Sequence, residues 1–386
     1  MTSPLRALIV ADDLTGAADT GVGFAGGRGR VRVELDRYRG DLDGGDVLII
    51  DTDSRRSAAD DAAARVTAAV AGAPPAHVLL KKVDSTLRGN VGAEVWAMLA
   101  ATGRSLALCA PAFPATGRVT RHGVQWAGGC RVGDLREVLG DDPAVLGRPA
   151  TWAGSEPERL ATATGVVVVD GETDADLMDL VQAADPIRDR VLWVGCGGLG
   201  AALSGTAADL APPEPVTGPV MVVVGSTAEA SMAQAAALRR EGLAEVRFSG
   251  HALLEVHGEP LQRTAVAVAA RLSEGDVLVT IDPDWPVPEE LGRRLIHTLG
   301  SALAAAGARP AGLIATGGET ARGAALALGA SGIDLHSQLE PGVVLGRLVG
   351  GPGCPVVTKA GGFGDEACLI RALRALRPLA AHKEKE

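Results

Sequence analysis

The feature that most limits what this chain can fold into is the alternation of short β-branched runs with alanine-rich stretches. Apolar runs fall at 5–11, 46–50, 77–82, 105–109, 166–169 and 191–194, and after a break at 219–224, 277–281, 312–316 and 354–358. Helical candidates at 57–71, 91–101, 174–184, 228–241, 288–306 and 319–328 lie between them. Strands that are apolar throughout, each followed by a helix, need a parallel sheet covered on both faces. The helix expected from Val91 places Val91, Val95, Met98 and Leu99 on one stripe, as packing on a sheet requires.

One segment interrupts the alternation. LAPPEPVTGP, 210–219, carries four prolines in ten positions, and proline both stiffens a chain and removes backbone donors. The expected fold class is therefore α/β: two α/β domains with mainly parallel sheets and an interdomain cleft. Their bounds are 1–210 and 220–386, joined by a linker over 211–219. The Gly-, Arg- and Trp-rich stretch 112–160 has neither periodicity and is expected to form loops with a short hairpin.

Composition removes several functions. A net charge of −10 and 3% aromatic residues disfavour a nucleic-acid partner. No apolar run approaches the roughly 18 residues of a membrane span, and MTSPLRALIVADD turns acidic too soon for a signal peptide. A cytoplasmic protein without nucleic-acid or membrane partners is the expectation, and a homo-oligomer is compatible with it. The five cysteines are scattered without metal-ligand spacing, so no metal ligand is assigned. Of five lysines, two sit in the terminal HKEKE, which singles out Lys81, Lys82 and Lys359. A compact ammonium on a flexible stem suits phosphate or carboxylate contact.

Chemistry concentrates where strands end. ADDLTGAADTG, 11–21, puts Asp12 and Asp13 beyond the carboxyl end of the first strand, where open parallel sheets bind ligands. Such acids can bind a sugar hydroxyl, take its proton or hold a magnesium-bound phosphate. One of them can instead cap the following helix, Asp12 more readily than Asp13. KKVDSTLRGNVGAE, 81–94, packs Lys82, Asp84, Ser85, Thr86, Arg88 and Asn90 into nine positions. Arg88 can grip a carboxylate with two parallel hydrogen bonds and Asp84 can accept from a hydroxyl, while Asn90 can equally cap a helix. APAFPATGRVTRHG, 110–123, adds Arg118 as a further anion contact.

The second half has three glycine- or serine-bearing turns at strand ends: Gly225 with Ser226, Gly317 to Thr320 with Gly318 and Glu319, and Gly361 with Gly362 behind Lys359. Such turns let backbone N–H groups approach phosphates at helix N-termini, and three together point to a nucleotide. GCGGLG, 195–200, fits a dinucleotide fingerprint, but the acidic strand end that should follow is replaced by the proline-rich stretch. No GxxxxGK[ST] occurs.

Taken in order, ADDLTGAADTG, KVDSTLRGN, PAFPATGR, the GS at 225–226, GGETA and KAGGFGD resemble the four-carbon acid sugar kinase family, from residue 7 to about 372. KVDSTLRGN is similar to the D-threonate kinase branch. The resemblance implies an N-terminal sugar-acid domain, a C-terminal nucleotide domain, and phosphorylation of a tetronate at its terminal (C4) hydroxyl by ATP, with Mg²⁺. It puts the sugar acid near Asp13, Lys82, Asp84 and Arg88, and ATP near Ser226, Gly317 to Thr320, Gly361 and Gly362. Asp13 is the first candidate for orienting or deprotonating the hydroxyl and Asp84 the second. Threonate is the first substrate expected, with erythronate or 3-oxo-tetronate as alternatives. Two departures stand out: Ala228 replaces the second serine of the family's GSxS, and His122 stands where a smaller residue is expected. A non-catalytic sensor of sugar acid and nucleotide, and a dehydrogenase resting on GCGGLG, are the competing classes.

Overall fold

All ten apolar runs form strands in the computed structural model, which describes residues 3–27, 29–140, 143–149, 156–205, 215–249, 259–282, 298–305, 307 and 309–377. The chain divides into two units, Met1–Asp209 and Leu210–Glu386. Residues 210–214 of the proline-rich segment lie outside the described residues, as do 288–297 of the helix expected over 288–306.

The first unit contains β1 (Leu5–Ala11), β2 (Val31–Glu34), β3 (Val47–Asp51), β4 (Ala76–Lys82), β5 (Leu106–Ala110), β6 (Arg118–Arg121), β7 (Val124–Ala127), β8 (Cys130–Asp134), β9 (Ala144–Leu146), β10 (Gly165–Val169) and β11 (Val191–Gly195). Eight of them form a parallel array in the order β2-β3-β1-β4-β11-β5-β10-β9. The chain goes to one side of β1 for β2 and β3, then crosses to the other side for β4. The carboxyl end of β1 is therefore the topological switch point, where open α/β sheets bind ligands. Even-numbered residues of β1 and β3 (Leu8, Val10, Leu48, Ile50) pack with Val66 of the helix Ala59–Ala71 and with Val95, Met98 and Leu99 of the helix Val91–Thr102. Each such fully buried side chain stabilises the fold by roughly 1.5–3 kcal/mol relative to exposure.

The stretch expected to hold a short hairpin instead builds a three-stranded antiparallel sheet, β6-β7-β8. GCGGLG ends β11 and opens the helix Gly197–Ser204. A Cβ on Gly197 would stand 2.6 Å from Asp19 Oδ2, on Gly198 2.6 Å from Ala112 O, and on Gly200 2.7 Å from Thr20 O. These glycines let that helix approach its neighbours.

The second unit contains β12 (Val220–Val224), β13 (Ala244–Phe248), β14 (Val277–Ile281), β15 (Gly312–Thr316), β16 (Ala330–Glu340), β17 (Val343–Gly350) and β18 (Pro355–Lys359). Their order is β13-β14-β12-β15-β18-β17-β16, parallel as far as β18 and antiparallel beyond it. Among the described residues no helix is long and apolar enough to cross a membrane.

Candidate active site

Three neighbouring strand ends of the first unit bring carboxylates and cations together. Asp12 and Asp13 follow β1, Arg55 follows β3, and Lys82 ends β4 with Asp84 just beyond. Arg55 donates to Asp12 through Nε (2.6 Å) and Nη2 (3.0 Å), and the same Nη2 reaches Asp13 Oδ1 at 2.6 Å. It also stands 3.5 Å from Asp84 Oδ1. Lys82 Nζ lies 3.3 Å from Asp12 Oδ1 and 3.5 Å from Asp13 Oδ1. That ammonium crosses the first turn of the helix Leu14–Gly21, where a Cβ on Gly16 would stand 2.0 Å from Nζ. Only glycine leaves room for it.

The helix cap is not the residue favoured from the sequence. Asp13 caps the helix, accepting from Gly16 N at 3.0 Å and from Thr15 Oγ1 at 2.7 Å. Asp12 is the buried one. Burial alone would raise its pKa, but the charges of Lys82, Arg55 and Lys81 outweigh burial and hold the carboxyl well below the usual carboxylate range. Burial likewise opposes ionisation of Asp84, and the Arg88 hydrogen bond with the Arg55 and Lys82 charges overcomes it. Lys82 is pushed down by burial and more than restored by Asp12 and Asp13, so its pKa is raised.

Asp84 is thoroughly engaged. Its Oδ2 accepts from Thr86 N and the Thr86 hydroxyl, and Arg88 forks onto it through Nε (2.9 Å to Oδ2) and Nη2 (2.8 Å to Oδ1). The Arg88 side chain is otherwise 67% exposed, so it is the cation with most freedom to leave for an incoming anion. The loop is held in an unusual shape, with Leu87 at φ +58° and Gly89 at φ +89°. Gln125 of β7 supports it, donating to Ser85 O at 3.0 Å. Asn90 makes no cap bond and instead donates to Ser57 O (2.8 Å) and Ser54 O (3.3 Å). Arg118 opens β6, with Nη1 donating to Thr116 O at 3.0 Å.

Arg55 is the member of this cluster that sequence reasoning missed. The signal was present: DTDSRR follows an apolar strand that a switch-point topology sets beside β1.

In the second unit, β12, β15 and β18 are adjacent, so their turns meet. Gly317 has φ +88° and donates its N–H to Lys359 O at 2.8 Å, capping the helix Gly318–Ala327. The left-handed backbone thus belongs to Gly317, while Gly318 begins the helix with Glu319 and Thr320 in its first turn. Ser226 lies against the third turn, since a Cβ on Gly361 would stand 2.3 Å from Ser226 Oγ. Lys359 is buried, and its three hydrogens go to Phe363 O (2.8 Å), Ala360 O (2.9 Å) and Gly361 O (3.2 Å). Burial pushes its pKa down to about 8, partly offset by Cys368. Ser231 Oγ also donates to Gly361 O, and Gln234 Nε2 to Phe363 O, Gly364 O and Asp365 O of the same loop. The hydroxyls of Thr316 and Thr358, at the ends of β15 and β18, are buried without a hydrogen-bond partner. The glycine turn and the helix N-terminus behind it are features that suit an anionic phosphate chain.

Residues 7–151 match the profile of a sugar-binding N-terminal domain and residues 221–369 that of a nucleotide-binding C-terminal domain. The chain is 38% identical to the D-threonate kinase of Cupriavidus necator, covering 96% of this chain and 97% of that one. It is equally 38% identical to the D-threonate kinase of Bordetella bronchiseptica, with the same coverage. A Salmonella typhimurium LT2 protein of solved structure shares the fold, with a TM-score of 0.76 at 19% identity over 95% of this chain and 98% of that one. Full-length similarity to two sugar-acid kinases, joined to these two domain matches, means that the chain belongs to the four-carbon acid sugar kinase family.

Proposed function

We propose that this protein transfers the γ-phosphoryl group of ATP to the C4 hydroxyl of D-threonate. The observation that carries this reading is the interleaving of Lys82, Arg55 and Arg88 with Asp12, Asp13 and Asp84 at the switch point of the first sheet. A small polyhydroxy acid needs this mixture: cations for its carboxylate and carboxylates for its hydroxyls. Similarity to D-threonate kinases supports the choice of tetronate.

In this reading Arg88 swings from Asp84 to the substrate carboxylate, joined by Ser85 and Arg118. Asp84, released from Arg88, accepts from a substrate hydroxyl. Asp13 orients the C4 hydroxyl and takes its proton as the oxygen bonds to the γ-phosphorus. The bond to the β–γ bridging oxygen then breaks and ADP leaves. Little basicity is needed, because phosphoryl transfer depends mainly on positioning and charge neutralisation. That suits carboxylates already engaged by cations. ATP is held by Ser226, the Gly317–Thr320 turn and the Gly361–Gly362 amides. Among the described residues no group of three or more His, Cys, Asp or Glu could hold a metal ion. Mg²⁺ bound to the ATP phosphates would supply part of their charge neutralisation.

An ADP-coupled assay against D-threonate, L-threonate, D-erythronate and 3-oxo-tetronate tests the proposal. ADP should form fastest with D-threonate, and the product should carry its phosphate on C4. Binding of tetronate and ATP without any ADP would replace the kinase with a sensor.

A further inference from the structure

On the face of β4 opposite Lys82, a second lysine is buried with an acid. Lys81 Nζ lies 2.7 Å from Glu94 Oε2, and it also donates to Lys82 O at 2.7 Å and Val10 O at 3.3 Å. An ammonium has three hydrogens, so Lys81 is saturated. Glu94 Oε1 accepts from Ser54 Oγ at 2.6 Å, Ser54 Oγ lies 2.7 Å from Thr52 Oγ1, and Thr52 Oγ1 lies 2.8 Å from Ala11 O. Two hydroxyls hold two hydrogens and cannot serve three contacts. Ala11 O already receives the Thr52 N–H at 2.9 Å. A carbonyl oxygen has two lone pairs, so Thr52 Oγ1 donates to Ala11 O as well, and the Ser54 hydrogen goes to the Glu94 carboxylate.

This network ends on the neighbours of the site and not elsewhere in the core. Val10 and Ala11 precede Asp12, Lys82 carries the ammonium beside Asp12, and Ser54 precedes Arg55. The backbone N–H groups of Ser54 and Arg55 donate to Asp12 O at 3.1 and 3.3 Å. Asn90, one turn before Glu94, fastens the same loop. Mere filling of this space would be served at least as well by apolar side chains of similar volume, because two buried charges must first lose their water. What an apolar pair would lack is a directional bond to Ser54.

We propose that the Lys81–Glu94 pair, acting through Ser54, is a positioning element that sets the Arg55 guanidinium for the sugar acid. The proposal rests on the tetronate reading above. Neither residue touches the substrate. Their influence passes through the 52–55 loop.

Ser54→Ala and the double substitution Lys81→Met/Glu94→Met test it, with wild type alongside, by thermal unfolding and by separate KM determinations for D-threonate and ATP. The double variant removes both charges together, so neither is left buried and alone. Both variants should fold and unfold cooperatively, at a temperature somewhat below wild type because each leaves a buried acceptor without its donor. The D-threonate KM should rise about tenfold, because a supporting shell left loose costs that much or more, and the ATP KM should stay within about twofold. If the double variant does not fold, Ser54→Ala decides alone. An unchanged D-threonate KM in a folded variant, or an equal rise in both KM values, overturns the positioning role. A wild-type protein that makes no ADP from any tetronate overturns the tetronate reading itself, and this proposal with it.

Discussion

Lys82 and Lys359 each end a parallel strand and each is buried, yet they live among opposite partners. Lys82 stands between the carboxylates of Asp12 and Asp13, whereas Lys359 is surrounded by backbone carbonyls and has no carboxylate within ion-pair distance among the described residues. Burial lowers the pKa of both, but only at Lys82 do negative neighbours reverse the shift. The first site is charge-balanced before any ligand arrives, with three acids against three cations, and suits a monoanion rich in hydroxyls. The second keeps an uncompensated charge behind a glycine turn, which suits a polyanion.

The strongest way to break this comparison is to remove each ammonium in turn. Lys82→Met strands buried carboxylates, and breaking a buried ion pair costs about 3–5 kcal/mol. Lys359→Met leaves only neutral carbonyls without donors, at about 1–3 kcal/mol. Thermal unfolding should therefore rank Lys82→Met well below Lys359→Met, with D-threonate turnover abolished in the former. Equal destabilisation would mean that the two environments do not differ in kind.

Asp13→Asn should lower kcat by about 10² while leaving both KM values within a few-fold. Asparagine keeps the helix cap but gives up the ion pair with Arg55, which retains Asp12, so the melting temperature should fall by less than in Lys82→Met. Near-normal turnover would transfer the hydroxyl-orienting role to Asp84.

Gly317→Val sharpens the division between the sites. A β-branched residue at φ +88° carries about 1–3 kcal/mol of backbone strain. The ATP Kd from calorimetry should rise about tenfold, the equivalent of some 1.4 kcal/mol, while the D-threonate Kd stays put. Parallel loss of both ligands in a folded protein would erase the distinction.

The smallest expected effect is on pH dependence. Below about 8 Lys359 is charged, and as pH rises through that value the ammonium is lost, so the ATP KM should climb several-fold by about pH 9. The raised pKa of Lys82 leaves the D-threonate KM unaffected over that interval. Stability responds to Lys359 in the other sense. Its folded pKa lies below its unfolded one, so the unfolded chain binds more protons between about 8 and 10.5, and the group's contribution to stability improves with pH across that window. An ATP KM that is flat from pH 7 to 9 would remove charge from the account of the nucleotide turn.

Much of this was legible in the residues. Uniform β-branched runs announced the central strands, because both faces of a parallel strand are buried. The missed strands have mixed patterns. β2 reads VRVE and is buried although Arg32 and Glu34 are charged, and the β16–β17 hairpin alternates polar with apolar over ASGIDLHSQLE. For the site, Asp13, Lys82, Asp84 and Arg88 stood out because strand-end acids and cations are rarely clustered by chance. Arg55 did not, because a pair of arginines in a polar loop resembles solvated surface until β3 is known to lie beside β1.

The dipeptide Lys81–Lys82 has a further consequence for how the chain tolerates change in length. Successive residues of a strand face opposite ways, so one lysine is committed to Glu94 beneath the sheet and the other to Asp12 above it. An insertion or deletion of one residue within β4 would turn each toward the wrong side, stranding an acid on both faces at once. β4 should therefore be a strand whose reading frame is locked by charge on two sides, refusing length changes that the loops flanking it accept.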